Sequence, residues 1–212
     1  MCLCTVFCWT SLYSQEEVGN GLLFPQFENG IVVFKNGTRS AASLNYSMLQ
    51  QKMLFSDNGN VMEFADPTTI LLITIGEQRF FPIGTNGVFY EEIIAGNAAF
   101  FIQHKANMIS QGKEAGYGGY SQTSATTSFS SIEGAGGVGR VELVAKEKFK
   151  LKVDRIYYIR SGNNYKRFVN AKSLGKLFKG QSAKIESFAK EQSINFLKID
   201  DVAKIIAYSF SL

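Results

Sequence analysis

The sequence predicts a mainly β protein: an antiparallel meander of roughly nine to eleven strands, shaped as a barrel, half-barrel or curved sheet, followed by a C-terminal unit of two or three helices. Three observations carry this. Short apolar runs alternate with Asn-Gly-type turn signals over most of the chain. The composition holds 18 Phe and 9 Tyr but only 3 Pro, which suits pleated, half-buried surfaces. After about residue 170 the apolar spacing changes from two to three and four.

The first strands follow from Gly21. Phe24-Pro-Gln-Phe27 leads into Ile31-Val-Val-Phe-Lys35, and Asn36-Gly37 predicts a type I′ hairpin to a return strand over Thr38 to Tyr46. Lys52 to Ser56 and Val61 to Ala65 pair across Asp57-Asn-Gly-Asn60, and Asp66-Pro67 closes that unit. Asp57 to Asn60 lacks the ligand spacing of a calcium loop and reads as a turn.

Thr69 to Ile75, an almost wholly apolar run expected to be buried on both faces, pairs with Gln78 to Ile83 across Gly76-Glu77. Pro82 places the second of these strands at an edge or its end. Val88 to Ala95 and Ala98 to Met108 pair across Gly96-Asn97. So many consecutive hairpins have to hide their edges, hence the closed or curved shape.

Residues 111–139 hold eight Gly, five Ser and three Thr. Such a stretch buries too little surface to offset its ordering entropy, so it reads as a mobile loop, either a connector or a lid. Val141 to Asp154 follows as a strand in which Phe149, Leu151 and Val153 face a core, and Arg155 to Arg160 pairs with Asn164 to Val169. Helical stripes then occur at Leu174, Leu177, Phe178; at Ile185, Phe188, Ala189; and at Val202, Ile205, Ile206. Asn170, Ser182 and Asp200 are the expected N-caps, with Gly180 ending the first helix.

The chain of 212 residues, 45% hydrophobic and 19% charged, has ordinary globular composition and excludes a disordered one. Its first 14 residues read as the remnant of a cleavable signal peptide: an uncharged apolar run from Met1 to Trp9, then small residues to Ser14. No Lys or Arg precedes the run, so the true start is expected upstream of Met1, or the segment is short and atypical. Cys2, Cys4, Cys8 and Trp9 all lie in it, leaving a mature chain with no thiol chemistry. The expected organisation is therefore signal remnant (1–14), antiparallel β domain (15–110), Gly/Ser-rich loop (111–139), further strands (140–169) and helical unit (170–212). No transmembrane segment is expected in the mature chain.

Catalytic signals are weak. His104 is the single histidine and reads as an ordinary strand residue. Glu91 and Glu92 are adjacent on a strand, point to opposite faces and read as solvated charges; the alternative is that one of them pairs with Glu63 or Asp66 across the sheet. With one His and no mature Cys, a zinc site is not expected, and no cofactor is implied.

Charge is unevenly spread. Residues 15–140 hold seven Lys/Arg against eleven Asp/Glu, whereas 141–212 hold fifteen against seven. In an exported chain such asymmetry points to an anionic lipid, lipopolysaccharide or acidic glycan rather than nucleic acid. Lys146, Lys148, Lys150 and Lys152 line one strand face, fitting either edge protection or an anionic surface. Tyr157, Tyr158, Tyr165 and Phe168 cluster with Arg155, Arg160 and Arg167, the composition of an interface hot spot. The partner surface expected from sequence is thus Lys146, Lys148, Lys150, Lys152, Arg155, Tyr158 and Arg160.

The run Phe27-Glu-Asn-Gly-Ile-Val-Val-Phe-Lys-Asn-Gly37, with Leu44-Asn-Tyr46, Met53-Leu-Phe55, Phe80-Phe-Pro82 and the closing segment from Asn170 to Val202, resembles a family of uncharacterised secreted envelope proteins of Gram-negative bacteria. That resemblance implies an envelope location and a β-rich body with a helical end, and no activity. Three functions follow for testing: a non-catalytic exported scaffold or accessory binding subunit, located in the periplasm or at the outer membrane and meeting an envelope protein or anionic lipid; a carrier of lipid or another apolar ligand in a Phe-rich cavity; and a carboxylate-dependent hydrolase of envelope polymers.

Overall fold

The computed structural model describes residues 21–114, 120–121, 147–162 and 164–212. The signal-peptide expectation and most of the Gly/Ser segment lie outside them. The described chain forms β1 (Glu28–Phe34), β2 (Arg39–Ser47), β3 (Lys52–Asp57), β4 (Asn60–Glu63), a 3-10 turn (Pro67–Thr69), β5 (Ile70–Ile75), β6 (Gln78–Ile83), β7 (Val88–Ala95), β8 (Ala98–Glu114), β9 (Tyr120–Ser121), β10 (Glu147–Ser161) and β11 (Asn164–Phe168). Three helices follow: α1 (Ala171–Gly175), α2 (Ser182–Glu191) and α3 (Ile199–Ser211). The fold class is the expected one, a mainly antiparallel sheet with a helical end.

Strand order is β11-β10-β8-β7-β6-β5-β1-β2-β3-β4, with β9 paired on β8. The sheet is open, with β11 and β4 as its ends. One step departs from a meander, because β1 inserts between β5 and β2. The sheet nevertheless curls. Ala106 of β8 donates its N–H to the Met48 carbonyl at 2.9 Å, although β7, β6, β5 and β1 separate β8 from β2. Turn residues 48–51 thus hold the curl where a strand pair would close a barrel.

Inside it pack Tyr46, Met53, Ile73, Phe80 and Phe89, all at most 2% exposed. A second core lies between the inner face of β7, β8, β10 and β11 and the helices, built on Phe100, Ile102, Tyr157, Phe168, Leu174 and Ile205. Each such side chain contributes about 1.5–3 kcal/mol through removal from water. The helical stripes read from the sequence supply this core: Leu174, Ile185, Val202, Ile205 and Ile206 are fully buried.

Several local expectations are corrected. At Asn36-Gly37 only Gly37 takes positive φ; its N–H donates to the Phe34 carbonyl at 2.9 Å, giving a type I turn with a glycine bulge. The type I′ turn sits instead at Asn58-Gly59, with φ of 51° and 83° between the paired Asp57 and Asn60. β5 is buried on one face only: a bulge against β1 leaves Leu71 48% exposed. Pro82 does lie where β6 has lost its β5 partner, as its missing N–H requires.

β8 continues to Glu114, past the expected end at Met108 and into the Gly/Ser segment. β10 joins two expected strands into one of 15 residues, because its pairing with β8 runs unbroken through Asp154 and Arg155. Along it Leu151 packs against the first core, whereas Val153 remains 39% exposed. Asn170 caps α1 in a reciprocal capping box with Ser173. The other two helices begin just before the expected residues, with Gln181 and Lys198 at the caps, and α1 ends at Gly175 rather than Gly180.

Candidate functional site

Strand alternation sorts the side chains of β6, β7, β8, β10 and β11 onto two faces. The inner face carries the cores. On the outer face the ladder aligns Phe81 with Tyr90, Glu92 with Phe101, Phe101 with Tyr158, and Tyr158 with Arg167. The rings meet there. Tyr90 and Tyr158 stack with centroids 4.7 Å apart, Tyr165 stands edge-on to Tyr90 at 5.6 Å and to Phe101 at 5.0 Å, and Phe81 meets Phe101 at 6.1 Å.

This cluster covers itself. Phe101 is buried although no helix or second sheet layer among the described residues covers it, while Tyr158 and Tyr165 stay half-exposed. The Tyr158 hydroxyl donates to Gln103 Oε1 at 2.9 Å, and Gln103 in turn donates to Gln51. Burial, followed by the neighbouring Tyr158 hydroxyl, pushes the Tyr90 phenol well above its ordinary range. Burial likewise raises the Tyr165 phenol, against a lowering pull from Arg160.

Cations rim the cluster. Arg79 lies 5.3 Å over the Phe81 ring, with Nη1 2.7 Å from Glu92 Oε2. That contact is an ion pair without hydrogen-bond alignment. Arg160 and Arg167 are exposed on β10 and β11. Further along the same face β10 presents Lys150, Lys152 and Asp154, and β8 presents Lys105, Asn107 and Ile109.

Of the residues expected from sequence, the structure brings Lys150, Lys152, Tyr158 and Arg160 onto this one face. Arg155 is on the other, where it donates to the Leu197 carbonyl at 3.4 Å on the helical side. Tyr157 and Phe168 also face inward, into the second core. Lys146 and the side chain of Lys148 lie outside the described residues. Sequence reasoning missed Phe81, Tyr90 and Phe101, which come to Tyr158 only through the β6-β7-β8-β10 pairing.

The inner face holds the largest departure from expectation. Glu91 and Glu92 do point to opposite faces, but Glu91 is 3% exposed rather than solvated, and His104 is 4% exposed. Glu91 Oε2 lies 2.5 Å from His104 Nε2, and its Oε1 accepts from Gln78 Nε2 at 2.7 Å. The Tyr46 hydroxyl donates to the His104 carbonyl at 3.3 Å. Neither Glu63 nor Asp66 meets Glu91: Glu63 pairs with Lys52, and Asp66 caps Thr68. The pair sits between the two cores, closed off from substrate, and works as an internal polar tie.

Two open clefts lie elsewhere. The larger, about 340 Å³, is bounded by Lys52, Glu63, Phe64, Asn86 and Phe89, and Glu63 is the one carboxylate in its lining. The smaller, about 170 Å³, lies beside Arg160, Phe178 and Phe210. Among the described residues no group of three or more His, Cys, Asp or Glu is placed to hold a metal, and no helix is long and apolar enough to cross a membrane. No protein-family model, curated protein or solved structure matches the chain.

Proposed function

We propose that this protein is a non-catalytic exported envelope protein, a scaffold or accessory binding subunit that engages its partner through the outer face of β6, β7, β8, β10 and β11. One observation carries the reading: Tyr90, Phe101, Tyr158 and Tyr165 form a ring cluster on a sheet face that no element among the described residues covers, rimmed by Arg79, Arg160 and Arg167. Tyrosine and arginine are the residues in which interface energy concentrates, because a rigid ring gives up little entropy and a guanidinium offers several directed donors. Export is supported by the apolar N-terminal run and by the confinement of all three cysteines to it.

The alternatives draw less support. The space inside the curled sheet is filled by Tyr46, Met53, Phe80 and Phe89, where a carrier needs a cavity. A hydrolase of the two-carboxylate kind needs a cleft lined by both groups. The test is affinity capture from envelope extract with Tyr158→Ala/Arg160→Ala beside the unaltered protein. Loss of a specific captured protein or lipid in the double variant is expected; identical captures would overturn the reading.

A further inference from the structure

We infer that the basic end of this outer face docks on the surface of an anionic bilayer; the inference rests on reading that face as the binding face and names what its far end meets. Past Ile102, β8 has no partner in β7: it pairs with β10 on one side, while on the other Ala106 donates its N–H to the Met48 carbonyl and Lys113 meets β9. The β8-β10 pair thus runs on past the end of the β7 pairing. Its outer side carries Lys105, Lys150 and Lys152, with Asn107, Ile109 and Asp154 between them.

Lys150, Lys152 and Ile109 are exposed. Asp154 is the one carboxylate among these residues, 3.6 Å from Lys152, and an exposed pair of that kind neutralises little of the local field. Arg160 and Arg167 extend the positive field across the ring cluster.

The chemistry favours phosphate headgroups over other polyanions. A lysine ammonium is an undirected point charge, and a row repeating every second residue, about 7 Å apart, suits a plane of many phosphates rather than one carboxylate held by two donors. Among the described residues no aromatic ring is interleaved with these lysines on the outer face, which single-stranded nucleic acid would need for stacking. Ile109, and Ile94 at 62% exposure on the same face of β7, offer apolar groups at the depth where a peripheral protein inserts. Tyrosines at the other end match the amphipathic character of the membrane interface.

Flotation tests this with the full chain and two kinds of vesicle, equal parts phosphatidylglycerol and phosphatidylcholine, or phosphatidylcholine alone. The protein is expected to float with the first and not the second. K105Q/K150Q/K152Q should partition about a hundredfold more weakly, at about fivefold per lysine near the surface, while the charge-preserving K150R/K152R floats like the unaltered protein. Equal flotation with both vesicles, no flotation, or flotation unaffected by the triple substitution would overturn the inference. Absent flotation combined with a captured protein that depends on Tyr158 and Arg160 would leave the binding-subunit reading standing and remove the bilayer alone.

Discussion

His104 and Glu91, drawn from neighbouring strands and both less than 5% exposed, face each other 2.5 Å apart between the two apolar cores. Each would be a costly buried polar group without the other. His104→Ala is therefore expected to destabilise the fold by about 3–5 kcal/mol, since it leaves the Glu91 carboxylate with Gln78 as its remaining side-chain partner. The double replacement Glu91→Met/His104→Leu should recover most of that loss, because apolar groups of similar volume need no partner. Urea unfolding of the three proteins gives the comparison, and a double variant as unstable as the single one would refute the account of the pair.

Gly30 in β1 lies between β2 and β5, where an added Cβ would stand 2.4 Å from the Thr74 carbonyl oxygen and 2.6 Å from Leu44 Cδ1. The carbonyl belongs to the ladder and has little room to move. Gly30→Ala should cost about 1–3 kcal/mol, read as a lower urea midpoint with unchanged slope. Gly59→Ala meets open space but keeps φ at 83°, so strain alone destabilises it, by about 1 kcal/mol.

The Asp201 carboxylate accepts from Lys204 Nζ at 3.0 Å and from the Asn195 N–H at 3.1 Å, and these bonds hold its pKa below the ordinary value. A value lower in the folded than the unfolded chain means the contribution is full above the unfolded value of about 4 and fades as pH falls through the folded one. Stability of the unaltered protein should thus drop more between pH 5 and pH 2 than that of Asp201→Asn, by about the contribution of this group. Parallel pH profiles would contradict the assignment.

On the outer face, Tyr158→Phe removes the hydroxyl bond to Gln103 but keeps the ring against Tyr90. It should cost about 1 kcal/mol of stability and leave partner capture intact, whereas Tyr158→Ala should abolish capture. Equal capture by both variants would remove the ring from the interface.

The hairpins and helical stripes were legible because each rests on local chemistry: Asn58-Gly59 in a turn, Phe100 and Ile102 alternating on one face, Leu174 and Ile185 at helical spacing. What escaped the sequence depends on pairing between strands. The insertion of β1 beside β5 has no local signal, whereas the curved shape follows already from the number of hairpins that must hide their edges. Glu91 looks like a solvated charge until the β7-β8 register sets Ile102 beside it and brings His104 onto the same face. The β8-β10 register decides that Tyr158 joins the outer cluster and Tyr157 the core, although strict alternation along β10 already required that the two part.

Site-specific photocrosslinking in cells tests the binding face most directly. Ile94 on the outer face and Leu197 on the helical side are 62% and 77% exposed, so a crosslinking residue at either position leaves the cores untouched. The account predicts adducts with protein or lipid from position 94 and none from position 197. Adducts from 197 with none from 94 would contradict it.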